Sequence, residues 1–153
     1  MKLSIFYLPL FFSSLCLTSC GTSLNTLKKI YAIGSDFGEV ITKQKNNNSF
    51  IKFENYCFWN EGKYDVSIHC DKTFKYIDDN QFTIKKIGNS NDLNVIKKGD
   101  DIFKVVYTIG IPISYGTSGV ESLLFNLNNT KGCRVYLYND NSFLKVNSIE
   151  IFN

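Results

Sequence analysis

The residues with the widest chemical range in this chain are five cysteines and a single histidine. Cys16 and Cys20 lie four positions apart at the end of an apolar leader, whereas Cys57, Cys70 and Cys133 are spread along the rest of the chain. Each of the three later cysteines falls on the apolar side of an alternating pattern. Thiols at such positions pair as disulfides in an oxidising compartment or stay buried as small apolar side chains.

A disulfide is expected among the three later cysteines. Cys57 and Cys70 are closest in sequence and are the preferred pair, with a bond from Cys133 to either of them as the alternative. The hairpin register predicted below leaves Cys57 and Cys70 about 13 Å apart along the strand, so their bond requires that register to be wrong. No metal or cofactor is expected, because a wide cysteine spacing and one histidine do not match a zinc ligand set.

The histidine, His69, lies on the polar side of its segment together with Asp65 and Ser67. A general base is one interpretation, but a surface histidine in a polar stripe is preferred. Residues 116–119 look like a hydrolase nucleophile turn, yet the motif needs glycine at the next position, which is Val120. The sequence therefore predicts a protein that is not an enzyme.

The leader determines the expected location of the protein. Met1 and Lys2 form a short positive start, and residues 3–12 form an apolar run that Pro9 interrupts. Such a run is typical of a secretory signal peptide and is too short to cross a bilayer. It ends at Leu17-Thr18-Ser19-Cys20.

These four residues resemble the lipobox of bacterial lipoproteins. The resemblance implies that residues 1–19 are removed, Cys16 with them, and that Cys20 becomes an acylated, lipid-bearing first residue. Gly21 follows in place of the aspartate that retains many such proteins in the inner membrane. This implies an outer-membrane location, on the periplasmic side or the cell surface. The alternative is an ordinary secretory signal cleaved after Gly21.

The elements that position these residues are predicted to be strands. Residues 20–27 are expected to form a tether, and residues 28–153 a single domain. A first strand is preferred over a helical turn in residues 27–44. From residue 49 onward apolar residues recur with a period of two, and turn signals follow at short intervals. This predicts an all-β antiparallel β-sandwich, with a barrel as the alternative.

Four hairpins are predicted from this pattern. The first turns at Glu61-Gly62 and pairs Trp59 with Tyr64 and Phe53 with Cys70. The next two turn at residues 78–80 and 98–100. The last turns at Asp140-Asn141, pairs Leu137 with Leu144, and has a bulge near Asn147-Ser148.

Two sets of residues are candidates for partner contact. Tyr107, Ile113 and Tyr115 lie in or near a long loop broken by Pro112 and glycines. The other set, on the outward side of the last hairpin, mixes aromatic and basic residues as protein interfaces do. Its members are Arg134, Tyr136 and Tyr138. A second sheet or loop covering that side is the alternative.

These observations favour a binding protein. The net charge of +3 is small and the lysines are interspersed with acids, which argues against a nucleic-acid partner. We expect a lipoprotein held to the membrane through Cys20, with a protein partner and a binding or assembly role in the bacterial cell envelope, such as part of a secretion complex. The alternative is a periplasmic inhibitor or immunity-type lipoprotein that inserts residues 110–120 into a hydrolase or toxin.

Overall fold

The computed structural model describes residues 21–85, 90–116, 119–128 and 130–153. Within these ranges the strands form two four-stranded antiparallel sheets, which confirms the expected β-sandwich. Neither sheet closes on itself among the described strands, so the barrel alternative is not adopted. The lipobox residue Cys20 and the signal peptide lie outside the described residues. None of the helices in these ranges is long and apolar enough to cross a membrane.

Each sheet follows chain order, with every strand paired to its sequence neighbours. The first sheet contains β1 (Ile51–Phe53), β2 (Tyr56–Glu61), β3 (Tyr64–Cys70) and β4 (Ile77–Ile84). The second contains β5 (Ser114–Gly116), β6 (Ser122–Asn128), β7 (Lys131–Asp140) and β8 (Phe143–Phe152). The helices are α1 (Leu24–Ile30), α2 (Phe37–Gln44) and α3 (Ile102–Ile109), and a 3₁₀ segment spans Ser90–Val95.

The first strand expected in residues 27–44 is wrong, since this region forms α1 and α2. The side chain of Asp36 caps α2 by accepting hydrogen bonds from the backbone N–H groups of Gly38 and Glu39, which satisfies donors that the helix leaves unpaired. Helix α1 already begins at Leu24 and buries Leu27 completely. The last part of the predicted tether is therefore packed into the domain.

The first sheet is buried on both faces. Its helix face, which carries Trp59, Val66 and Ile68, packs against buried side chains of α1 and α2. Its inner face carries Tyr56 and Phe58, which share a core with α3 and the second sheet. The molecule thus has a helical layer, a sheet, and a second sheet with α3 packed beside it.

Helix α3 replaces one predicted hairpin. Asp101 caps the helix by accepting a hydrogen bond from the backbone N–H of Phe103. The residues that α3 buries most deeply recur at helical spacing, and are Ile102, Val105, Val106 and Ile109. The hairpin turning at residues 98–100 is therefore wrong. The hairpin at residues 78–80 is also wrong, because those residues lie inside β4.

The first predicted hairpin exists with a different register. Glu61 pairs with Tyr64, so the turn is Gly62-Lys63 and Trp59 pairs with Val66. This shift of two residues leaves Trp59 and the alternating side chains of β3 on their predicted faces, because the side-chain period of a strand is also two. Phe53 is an exception, since it belongs to the core on the other face of the sheet from Trp59. Phe53 pairs with Tyr56 and not with Cys70.

The last predicted hairpin shows the same shift. Asp140 pairs with Phe143 across a turn at Asn141-Ser142, and Leu137 pairs with Val146. The register changes between Tyr136 and Leu137, which leaves Asn147 as the extra residue of the partner strand. This confirms the predicted bulge.

Candidate functional site

The outer face of the second sheet, defined by Arg134, Tyr136 and Tyr138 on β7, lies opposite the core. The residues that alternate with them, Cys133, Val135 and Leu137, are buried in the core. Tyr138 is 39% exposed, and Arg134 and Tyr136 are partly exposed. Among the described residues, therefore, no second sheet or loop buries this face.

Three side chains of the outer face form a connected network. Tyr136 donates a hydrogen bond through Oη to Glu150 Oε2 at 2.8 Å, and Arg134 Nη1 donates to Tyr136 Oη at 3.4 Å. The Arg134 guanidinium also lies 5.9 Å from the centre of the Tyr136 ring. The hydrogen bond to Tyr136 raises the pKa of Arg134. These contacts hold the side chains of Arg134 and Tyr136 in place on the outer face.

The aromatic character of the outer face extends to the end of the chain. Gly132 pairs with Phe152 across β7 and β8, and a Cβ on Gly132 would lie 2.7 Å from the Phe152 ring. The missing side chain thus makes room for Phe152, which remains 41% exposed. Phe152 was not among the predicted contact residues, although the predicted bulge near Asn147-Ser148 already places it on this face.

The second set of predicted contact residues, Tyr107, Ile113 and Tyr115, does not form one surface. Tyr107 lies on α3 and Ile113 just before β5, and both are 62% exposed. Tyr115, on β5, is half-exposed and its ring centre lies 5.6 Å from that of Phe53. The loop is also shorter than expected, because the Ile113 backbone N–H donates to the Leu124 carbonyl oxygen at 2.8 Å. Residues 117–118 of the loop lie outside the described residues.

The three cysteines within the described ranges are free and buried. The predicted Cys57–Cys70 disulfide is therefore not formed, although the observed register brings the two residues nearer than expected, since Cys57 pairs with Ile68. Cys133 cannot be the alternative partner without rearrangement, because it belongs to the core on the other face of the first sheet. Burial raises the pKa of Cys57 to about 12 and the pKa values of Cys70 and Cys133 to about 11.

His69 is not a surface residue, contrary to the sequence-based interpretation. It is 2% exposed and its ring lies between those of Tyr56 and Phe143, with centre distances of 4.6 and 4.8 Å. Its Nε2 lies 2.9 Å from the Ser142 carbonyl oxygen, and its Nδ1 lies 3.3 Å from Asp78 Oδ2. These neighbours give His69 a role in joining the two sheets.

Asp65 and Ser67 are buried on the same inner face as His69. Ser67 Oγ donates to the Gln81 carbonyl oxygen at 3.2 Å, and the Asn60 amide donates to Asp65 Oδ1. The three residues form a buried polar row along β3, because α3 and the second sheet cover the face that alternation alone suggested was exposed. No cluster of three or more His, Cys, Asp or Glu that could hold a metal ion occurs in the described part of the chain.

Comparison with known proteins identifies no relative. No protein-family model matches this chain, and no curated protein or solved structure matches it either.

Proposed function

We propose that this protein is a lipid-anchored, non-catalytic binding protein of the bacterial cell envelope, and that it contacts a protein partner through the outer face of its second sheet. The observation that carries the proposal is the uncovered outer face itself. It combines the exposed ring of Tyr138 with the Arg134–Tyr136–Glu150 network. Tyrosine and arginine contribute most often to the binding energy of protein interfaces.

The ordered network supports this use of the face. Binding costs free energy for every side chain that must be immobilised, and Arg134 and Tyr136 are already held by Glu150. The face also retains both an acid and a base, so its partner is expected to present aromatic and charged groups of both signs. Tyr138 and Phe152 supply the apolar contact area beside them.

The lipid anchor rests on the lipobox resemblance. Only residues 21–23 separate Cys20 from the first residue of α1, so a lipid on Cys20 would hold the domain close to its membrane. Lys28 and Lys29, in the last turn of α1, are exposed. Basic residues near an anchor are attracted to anionic lipid headgroups.

An inhibitor or immunity-type role is the second candidate. The observation that favours it is the exposure of Ile113 and Tyr115, which stand close together at the edge of the second sheet. An enzyme cleft would take up these two side chains and leave the outer face free. The two proposals therefore predict different contact residues.

Two experiments test these proposals. Replacing Cys20 with serine should release the protein from the membrane fraction; retention as firm as in the wild type would contradict the lipid anchor. A photo-crosslinking residue at Tyr138 should capture an envelope protein, and Arg134→Ala with Tyr136→Ala should abolish the capture.

The matched control places the photo-crosslinking residue at Lys43, an exposed position on α2. Capture at Ile113 of a soluble hydrolase or toxin, with nothing specific at Tyr138, would favour the inhibitor. Equal capture at Tyr138 and Lys43 would contradict a role for the outer face.

A further inference from the structure

A cleft of about 540 Å³ opens beside the inner face of the first sheet. It lies where the start of β3, the end of β6 and the loop after α3 come together. The lining residues include Ile111, Ile113 and Leu127, together with Asp65 on β3, Asn60 on β2 and Lys85 just after β4. A volume of this size is typical of pockets for small ligands.

The most unusual group in the cleft is the carboxyl group of Asp65. Asp65 is 1% exposed, and its Oδ1 accepts the hydrogen bond from Asn60. Its Oδ2 has no hydrogen-bond partner among the described residues. A buried carboxylate oxygen without a hydrogen-bond partner costs free energy. A donor placed at Oδ2 would therefore be stabilising.

The charges and hydrogen bonds around Asp65 also leave its negative charge only partly compensated. Burial raises the pKa of Asp65, and the charge of Lys85, the Ile111 backbone N–H and the Asn60 amide lower it in part. The protein thus compensates the carboxylate incompletely. A cationic donor placed at Oδ2 would supply the missing compensation.

A basic group stands at the outer end of the same cleft. Lys85 is exposed and its Nζ donates a hydrogen bond to Asn60 Oδ1 at 3.2 Å. Asn60 therefore links the ammonium group of Lys85 to the carboxyl group of Asp65. The cleft offers a negative group in its interior and a positive group at its mouth.

The remaining walls are mainly aliphatic. Ile111, Pro112, Ile113 and Leu127 contribute apolar surface, and the described lining residues include no aromatic ring. Nucleobases are commonly bound by stacking on aromatic rings, so this cleft does not suit them. An α-amino compound with an aliphatic side chain carries its ammonium group and its carboxylate or carbonyl group on one carbon atom, so these two groups can meet Asp65 and Lys85 while the side chain contacts the apolar walls.

We propose that the cleft binds an aliphatic α-amino compound through its ammonium group on Asp65 Oδ2, with the ligand's carboxylate or first carbonyl group toward Lys85. The ligand is either a free apolar amino acid or the amino-terminal residue of a peptide, which share this chemistry. This inference goes beyond the proposed partner contact and does not depend on it, because the cleft and the outer face use different residues.

Calorimetry on the purified protein tests the proposal with four probes: L-leucine, the dipeptide Leu-Leu, L-leucinamide and N-acetyl-L-leucine. We expect L-leucine or Leu-Leu to bind with a Kd of about 1 mM or tighter. N-acetyl-L-leucine lacks the ammonium group and should not bind. Tighter binding of Leu-Leu than of L-leucine would assign the site to peptide termini, and the reverse to free amino acids.

Variants identify the two charged contacts. Asp65→Asn should weaken binding about tenfold or more, since it removes a charge-assisted hydrogen bond. Lys85→Gln should weaken binding of L-leucine more than binding of L-leucinamide, because L-leucinamide keeps the carbonyl group but has no carboxylate charge to pair with Lys85. Lys28→Gln, an exposed lysine on α1, is the matched control and should change nothing.

Three results would overturn the proposal. They are no binding of either L-leucine or Leu-Leu at about 10 mM, equal binding of N-acetyl-L-leucine, and unchanged affinity in Asp65→Asn. If Asp65→Asn does not fold, the comparison of L-leucine with N-acetyl-L-leucine and the Lys85→Gln variant decide the matter. Loss of partner capture at Tyr138 would leave this proposal unaffected.

Discussion

The imidazole Nε2 of His69 lies 2.9 Å from the carbonyl oxygen of Ser142, a residue 73 positions later in the chain. This contact joins β3 of the first sheet to the turn between β7 and β8 of the second. A second bond lies beside it, because the Leu144 backbone N–H donates to Tyr56 Oη at 3.2 Å. The two sheets are thus connected by polar contacts as well as by apolar packing.

Replacing His69 with phenylalanine should destabilise the protein by about 1–3 kcal/mol. Phenylalanine keeps the ring contacts with Tyr56 and Phe143 but removes the polar contacts of Nε2 with the Ser142 carbonyl oxygen and with the Asn55 amide nitrogen, which lies 2.6 Å away. His69→Ala should cost more, because it also leaves a cavity between the two rings. Urea unfolding measures both values. A His69→Phe variant as stable as the wild type would show that the polar contacts of Nε2 with Ser142 and Asn55 contribute nothing to stability.

Replacing Ser142 with glycine should raise stability by up to about 1 kcal/mol. The turn residues Asn141 and Ser142 have φ values of 53° and 78°, a backbone region that strains most side chains. Ser142 contacts His69 through its carbonyl group, which glycine retains. Asn141→Gly is the matched control, and its effect should be smaller because asparagine tolerates this region. Thermal unfolding of both variants would decide, and a lower melting temperature for Ser142→Gly would contradict the prediction.

The two hairpins at Gly62-Lys63 and Asn141-Ser142 were predicted in the right places, although each predicted register was wrong by two residues. An error of two residues preserves the face of every side chain, so Trp59 and Leu137 were assigned to the correct side. The polar row of Asp65, Ser67 and His69 was not predictable in the same way. Alternation shows that the two faces of a strand differ, and it does not show that the polar face meets water.

Helices α2 and α3 were not predicted, although both have sequence signals at their starts. Two capping signals are present in the sequence. One is Asp36 with Glu39 at the start of α2, and the other is Asp101 before the apolar run of α3. In the α3 segment, Phe103, Val105 and Tyr107 also alternate, and periodicity cannot separate helix from strand in so short an apolar run.

The candidate sites were predictable only where they depend on local sequence. The outer face of β7 follows from strand parity and could be named in advance. The cleft could not, since Asp65 becomes buried only when α3 and the second sheet, both distant in sequence, pack over β3. Ile113 was identified as a contact residue, but nothing in the local pattern connected it to Asp65.

The buried thiols should resist alkylation in the folded protein. The thiolate is the reactive form, and burial raises the pKa of Cys57 to about 12 and that of Cys70 to about 11. Iodoacetamide at about pH 8 should therefore leave the native protein unmodified. In urea without reductant, mass spectrometry should find Cys57, Cys70 and Cys133 all modified.

The number of modified thiols also tests two separate points. Modification of Cys133 alone would mean that Cys57 and Cys70 are joined in a disulfide. An additional modified thiol at Cys20 would mean that this residue carries no lipid. The control is the same reaction after treatment with reductant, which should raise the count only if a disulfide is present.

Asp65 should make the protein less stable as pH rises from acid to neutral. Burial raises its pKa in the folded state above that of a solvent-exposed aspartate, so the folded protein holds this proton more tightly than the unfolded chain does. The resulting stabilisation is fully present below the unfolded pKa and is lost as pH rises through the folded pKa. Asp65→Asn cannot titrate, and its stability relative to the wild type should therefore increase with pH across this window.

Asp71 is the matched control, because its shift has the opposite sign. The hydrogen bond from Thr73 Oγ1 and the backbone N–H groups of Tyr76 and Lys75 lower its pKa, so its contribution is lost as pH falls. Asp71→Asn should accordingly lose stability relative to the wild type as pH rises. Urea unfolding of both variants at several pH values from about 3 to 7 measures the two slopes. If the stability difference from the wild type changes with pH in the same direction for both variants, the folded protein stabilises the Asp65 carboxylate as it stabilises the exposed one of Asp71. That result would contradict the view that Oδ2 lacks compensation and can gain a cationic ligand.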